Sequence, residues 1–486
     1  MAALVLTLRT RSVRWRPDPT ALCLIGWAAL AAPLGAQAVP EKPALLTIGN
    51  ALRSALSRNP DLLNSSDFLL SAEWNERAVR STFLPQAVPF VSTEKSDETG
   101  ERTDTYGLFV TEQFPFGTSL EGQAIVNRQP HAPGGESHTA DYRLTLRQPF
   151  LRGADPAVSA EPLRLARRST HARSRELEVA RRRTVLAIYQ AYLGVARQEE
   201  ALKLASDRVK RARELTEFSR ARFTAGTVSR LDVLRAEQQE ASTVVTLNDA
   251  QSALDDLRDS LRRTAGLPEN EPFAIEMPRE IPLSEPDLAE ALEGRMDLRP
   301  EALEGRDQVT DAEFSLRIAK SLELPSLNGF VRYEASGAGR SAGDALQPRN
   351  PALVFGLSSD YGLNSTVLRA RKRQAEIDLA FRKRNFVLLG DDFAREIRRA
   401  YRRLDALRAN HGIAVANERV AALQAEVARL RFEKGLSDNF NVVDAENLWN
   451  GARLLELDSR LSILLAELDC LYSSGRLHVK PFLELP

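Results

Sequence analysis

The residue types that usually carry chemistry are scattered in this chain. The five histidines, at 131, 138, 171, 411 and 478, show no metal-ligand spacing, and no glycine-rich phosphate loop or nucleophile motif is present. The criteria for a catalytic site are not met, so no enzyme, metal or cofactor is expected. What the sequence offers instead is a cluster that occurs twice. Arg222, Phe223, Gly226, Val233, Ala236 and Glu237 recur 209 positions later as Arg431, Phe432, Gly435, Val442, Ala445 and Glu446. Beyond each glycine lie polar groups: Asp232 in the first copy, Ser437, Asn441 and Asp444 in the second. Ser229 before Asp232 makes a Ser-x-x-Asp capping pattern. A carboxylate in the first turn of a helix also complements the helix dipole. Arg230 and Arg235 flank that aspartate.

The elements that position these clusters repeat with them. Positions 202, 205, 209, 212, 216, 219 and 223 hold Leu, Ala, Val, Ala, Thr, Ser and Phe. That 3-4 spacing is the seam of a helix packed lengthwise on its neighbours. It predicts a long helix over 163–225, stopped by Gly226, and a second over 231–265. The later half predicts a long helix over about 365–433, Gly435, and a helix over about 440–473. At 1.5 Å per residue the 163–225 helix is about 95 Å long. Segments 47–82 and 231–265 together reach about the same length, as do 286–322 and 441–475 against 365–433. Two short helices thus stack beside one long one in each half. Small seam residues let the helices approach closely.

Between the first short helix and the long helix of each half lie alternating segments. "AVPFVSTEK", "YGLFVTEQF", "SLEGQAIV" and "DYRLTLRQPF" belong to the first half, "LNGFVRYEAS" and "ALVFGLSSDY" to the second. Their period and length of about ten residues suit strands of a membrane barrel. Strands are expected over about 86–149 and 327–361. Whether the additional pair in the first half joins the barrel is left open by the pattern. Gly/Pro-rich polar stretches at 127–138 and 335–350 read as loops. Residues 266–286 hold five prolines and read as an extended linker.

The N-terminus resembles an export signal. Arg9, Arg11, Arg14 and Arg16 precede the apolar stretch 21–35, and Ala36-Gln37-Ala38 provides a cleavage site. The division is then a signal peptide (1–38), a first repeat (39–265), a linker (266–285), a second repeat (286–475) and a tail (476–486). Net charge is zero over the chain, and removing four Arg and one Asp with the signal leaves −3. No basic excess points to nucleic acid. Cys470 would be the only cysteine left, so no internal disulfide forms. No later stretch is apolar for long enough to span a bilayer as a helix, which leaves a closed β-barrel as the only way across.

The duplicated Gly-x-x-x-x-x-[Asp/Asn]-Val, the Ser-x-x-Leu-Pro at 81–85 and 321–325, and "RQPFLRG" at 147–153 resemble the TolC-like outer-membrane efflux proteins of Gram-negative bacteria. The resemblance covers nearly all of the exported chain. It implies a mainly helical fold with β-structure: a homotrimer with one shared β-barrel in the outer membrane, continued by a long α-helical barrel across the periplasm. The function implied is the outer-membrane channel of a tripartite efflux or type I secretion system, working with a periplasmic adaptor and, through it, an inner-membrane pump. The repeated clusters would be helix tips at the periplasmic aperture. Asp232 and Asp444 would supply carboxylate rings that favour cations. Gly226 and Gly435 would turn the tips and flank the grooves for adaptor hairpins. The family's locking Tyr and Arg are replaced here by Phe432 and Ser437, and the first Asp of the second tip by Asn441. Arg230 or Arg235, paired with Asp232 or Asp444, would then have to hold the mouth. The alternative reading is a periplasmic coiled-coil scaffold or adaptor without a pore.

Overall fold

The computed structural model describes residues 44–96, 101–129, 135–268, 272–276, 287–362, 365–437, 439–479 and 481. The expected signal segment lies outside them, as do parts of the linker, of the tail and of the 127–138 loop.

The chain runs β1 (Ala44–Leu46), α1 (Ile48–Arg58), α2 (Pro60–Ser81), β2 (Gln86–Lys95), β3 (Arg102–Gln113), β4 (Ser119–Gln129), β5 (Ser137–Pro149), the one-turn α3 (Pro156–Ser159), α4 (Glu161–Thr224) and α5 (Arg230–Ala265). Then follow β6 (Phe273–Ile275), α6 (Leu288–Glu293), α7 (Pro300–Leu322), β7 (Ser326–Gly339), the short α8 (Ala342–Ala345), β8 (Arg349–Asp360), α9 (Thr366–Glu433) and α10 (Asn439–Ser473). In the first half α4 packs against both α2 and α5, and in the second half α9 packs against both α7 and α10.

The stretch 47–82, read from sequence as one helix, is two. Asn59 takes an extended conformation, and its side chain caps α2 by accepting from Asp61 N at 2.9 Å and Leu62 N at 3.3 Å. Pro60 cannot continue α1, because it has no N–H to donate. The same Asn59 donates through Nδ2 to the carbonyl of Thr264 at 2.8 Å, which sets the end of α5 on the start of α2. The second half makes the same joint with different chemistry. Arg299 precedes Pro300, and its guanidinium donates to the carbonyl of Ser473 at 3.2 Å. That buried charge is neutralised by Glu396 at 2.6 Å and lies over the Phe393 ring at 3.9 Å. Pairing is what lets a charge sit inside.

The largest core cluster lies at these joints. It gathers Leu52, Ile188, Tyr189, Tyr192, Leu261 and Leu468 from four helices. Part of the linker is ordered here: β6 pairs with β1. The Tyr192 hydroxyl lies 2.8 Å from the carbonyls of both Leu46 and Glu276 and accepts from Glu276 N at 3.1 Å. Burial pushes its pKa up to about 12.

The remaining six strands form one antiparallel sheet in the order β2-β3-β4-β5-β7-β8. β3 and β4, the additional pair of the first half, are hydrogen-bonded between β2 and β5 in this sheet. The register separates two kinds of face. One row across all six strands reads Ala87, Val110, Gly122, Leu144, Tyr333, Leu353. The neighbouring row, on the opposite face, reads Val88, Phe109, Gln123, Arg143, Glu334, Ala352. The next row on that second face reads Gln86, Thr111, Glu121, Thr145, Arg332, Val354. Arg143 pairs with Glu334 across strands at 3.1 Å.

Candidate functional site

The two hairpins α4–α5 and α9–α10 end in the same turn. Gly226 and Gly435 both take φ of +74°, a left-handed conformation that a Cβ disfavours. Each closes its helix with a pair of carbonyl bonds: Gly226 N to Phe223 O and Thr227 N to Arg222 O, then Gly435 N to Phe432 O and Leu436 N to Arg431 O, all 2.8–2.9 Å. This is the Schellman closure, which satisfies the last carbonyls of a helix. The repeated Arg-Phe-x-x-Gly is thus a repeated backbone device.

The tips are fastened to each other. Arg222, on α4, donates through Nη1 to the carbonyl of Phe432 on α9 at 3.1 Å. Its guanidinium lies 5.3 Å from the Phe432 ring centre and 5.6 Å from that of Phe218. The two rings meet edge to face at 5.5 Å. Phe432 is only 4% exposed, so its ring fills the seam between tips. Further along, Arg211 reaches Glu446 at 3.4 Å and lies 5.6 Å from the Trp449 ring centre. Arg208 donates to Asn447 Oδ1 at 2.7 Å. These contacts join α4 to α10. Sequence reading missed Arg222 and Phe218 as a joint. The available signal was their i, i+4 spacing, which puts both on one helix face.

The aspartates differ. Asp232 closes a capping box: its carboxylate accepts from Ser229 N at 3.0 Å and Ser229 Oγ at 2.7 Å, while Ser229 Oγ accepts from Asp232 N at 3.2 Å. The bond from the Ser229 side chain does most to hold its pKa below the ordinary 3.8, with Arg235 adding a smaller attraction. Arg230 and Arg235 are exposed and form no ion pair with Asp232 among the described contacts. Asp444 is exposed on α10, one residue before buried Ala445. Asn441 donates through Nδ2 to Ser437 Oγ at 3.0 Å. The structure therefore brings Phe432 into the inter-tip seam, joins Asn441 to Ser437 within the second tip, and leaves Asp444, Arg230 and Arg235 exposed. Among the described residues no group of three His, Cys, Asp or Glu could hold a metal ion.

Residues 51–267 match the outer membrane efflux protein family. That stretch holds α1 through α5, with the first tip and the inserted strands. The matched stretch is similar to an outer membrane efflux protein domain. The alkaline protease secretion protein AprF of Pseudomonas aeruginosa is 28% identical over 213 residues, 42% of this chain. The match spans 44% of that relative's length, less than half. Solved structures extend the likeness in fold to both halves. The CmeC outer membrane channel of Campylobacter jejuni superposes with a TM-score of 0.68 at 15% identity, covering 88% of this chain and 85% of that one. The outer membrane protein VceC of Vibrio cholerae gives 0.68 at 16% identity, covering 88% and 96%.

Proposed function

We propose that this protein is the outer-membrane channel of a tripartite efflux or type I secretion system, a passive conduit from periplasm to exterior. The observation that carries this reading is the two-faced sheet. One face presents an apolar row across six strands and the other presents charged and amide groups. Leu357 and Phe355 of β8 are 73% and 69% exposed on the apolar side. An apolar band outside and a polar lining inside are what a barrel in lipid requires. Among the described residues the outer edges of β2 and β8 have no partner strand in the sheet. Open edges are not tolerated in a bilayer, so copies must complete one another. β2 and β8 run in opposite directions, which permits antiparallel pairing from copy to copy. The homotrimer implied by the family resemblance meets this need.

In this reading the signal segment directs export, the helices cross the periplasm, and the tips form the aperture. Asp444 is exposed beyond the first turn of α10 and is the better candidate for a cation-attracting ring. Asp232 combines that role with capping. Arg222, Phe218 and Phe432 hold neighbouring tips together where the family's locking pair is absent. Adaptor hairpins dock beside Gly226 and Gly435, and the inner-membrane pump acts through the adaptor. The test is fractionation of cells expressing the chain, followed by mass measurement in detergent. An outer-membrane protein of three chains is expected. A soluble monomer in the periplasm would replace this reading with the scaffold or adaptor alternative.

A further inference from the structure

We propose that the ends of α4 and α9 nearest the sheet form a basic belt that binds the acidic phospholipid headgroups of the periplasmic leaflet. The proposal rests on the channel reading above and adds a lipid partner to it. β5 leads through the one-turn α3 into α4, and β8 leads into α9. Each of the four connections between sheet and long helices carries a large, exposed apolar side chain: Leu84, Phe150, Leu324 and Tyr361. Such side chains mark the edge of the hydrocarbon, where a membrane barrel carries its girdle. A headgroup layer of about 5–7 Å lies beyond that edge. Arg369, Arg371, Lys372 and Arg373 lie about 4–11 Å into α9, and Arg167 about 9 Å into α4. The apolar stems of these side chains let their charged heads reach back to the surface.

Charge is concentrated at this level. Residues 161–173 hold four Arg against one carboxylate, and residues 366–378 hold three Arg and one Lys against two. The adjoining ends of α2 (73–81) and α7 (311–322) hold two charges of each sign. With +3, +2 and zero, the four helix ends sum to +5 per copy, in an exported chain that is −3 overall. Helix stability does not call for this, because cations are unfavourable near a helix N-terminus. Ion pairing does not absorb it either. Arg164 and Arg168 are taken up by Asp311 and Glu304, and Lys372 by Glu323. Arg369 donates to Ser365 Oγ at 3.0 Å, and neither it nor Arg371 meets a carboxylate among the described residues. Arg373 meets only Glu376 of its own helix, and Arg167 comes no closer than 3.6 Å to Glu76. These four arginines are exposed. With 3.6 residues per turn, Arg369, Arg371 and Arg373 point to more than one side of α9, so the belt presents charge outward. Acidic headgroups supply the missing anions, as they do for basic segments beside other membrane spans.

The test is the lipid selectivity of the full exported chain in phosphatidylcholine liposomes. Phosphatidylglycerol or phosphatidylcholine with a nitroxide on its acyl chain is added in trace, and the share of each held at the protein surface is measured by electron spin resonance. At 0.1 M salt, where charges act over about 10 Å, phosphatidylglycerol should be held several-fold more strongly. At 1 M salt, where that range shrinks to about 3 Å, the preference should largely vanish. Arg167→Gln, Arg369→Gln, Arg371→Gln and Arg373→Gln together should abolish it at low salt, and the four corresponding Lys replacements should retain it. Arg369→Gln plus Arg371→Gln, which breaks no ion pair, serves if the fourfold variant does not insert, and should clearly weaken the preference. Arg340→Gln plus Arg349→Gln, at the other end of the sheet, should leave it unchanged. Equal retention of the two lipids by the native chain, or a preference that survives the belt variants, or one lost with 340 and 349, would overturn the belt while leaving the channel intact. A chain that holds neither lipid would overturn the channel reading and the belt with it.

Discussion

Four glycines end the four longest-packed helices of the two hairpins, and replacing each by alanine separates backbone cost from packing cost. Gly226, Gly266, Gly435 and Gly475 have φ of +74°, +63°, +74° and +79°. Forcing a Cβ into this region costs about 1–2 kcal/mol, offset by about 0.4–1 kcal/mol from the stiffer unfolded chain. At Gly226 nothing lies within 4 Å of the added carbon, so the net loss is about 0–1.6 kcal/mol. At Gly266 the carbon would meet Arg58 Cβ at 2.8 Å and its carbonyl carbon at 3.0 Å. At Gly475 it would meet the Leu298 carbonyl carbon and oxygen at 3.0 Å. Neither backbone can yield without moving the joint between stacked helices, and overpacking of this kind adds about 1–3 kcal/mol. At Gly435 the nearest atom is Arg222 Nη2 at 3.0 Å, the far end of a flexible side chain. Thermal unfolding of the purified protein in detergent should therefore lower Tm little for Gly226→Ala and Gly435→Ala, and clearly more for Gly266→Ala and Gly475→Ala. Equal losses at Gly226 and Gly266 would refute the claim that the joints, not the turns, are where close packing resides.

Arg222→Ala should loosen the tips: it removes a charged hydrogen bond worth about 1.5–3 kcal/mol and cation–π contacts worth about 0.5–1 kcal/mol, seen as faster amide exchange at 432–437 with little change at the joints. Leu144→Arg, in the apolar row, should destabilise the inserted protein by about 2–4 kcal/mol, read as a fall in folded yield on refolding into liposomes, whereas Arg143→Leu should not. The pKa of Asp232 is depressed in the folded chain, so its contribution is complete above the ordinary 3.8 and is lost as pH falls through the lower folded value. Amide exchange in the first turn of α5 should accelerate only in that acid window, and Ser229→Ala should abolish the pH step.

The elements were the most legible part of the sequence, because their ends are written in residues with few conformational options. Glycines at 226, 266, 435 and 475 each sit where the backbone turns left-handed, and the Leu-Pro at 84–85 and 324–325 precedes each first strand. The break at Asn59 was hidden because the apolar spacing runs through it, and the side-chain cap decides it. Membership of β3 and β4 in the sheet was undecidable locally. Each strand's alternation is weak, and the apolar row becomes visible only when register aligns six of them. At the tips, spacing located both turns but not the seam between them. Arg222 and Phe432 are 210 positions apart, and their contact follows from packing α4 beside α9. Asp232 shows the opposite limit: a carboxylate at N3 reads equally as a cap or as a pore group, and the capping box is its observed bonding.

The central claim is conduction, and it is most directly tested by single-channel recording of the purified exported chain in a planar bilayer, with and without Asp232→Asn plus Asp444→Asn. Discrete cation-selective steps are predicted, with the selectivity weakened in the double variant. Steps of unchanged selectivity would keep the conduit and return both aspartates to structural roles. Absence of steps from a preparation that is soluble and monomeric would contradict the account.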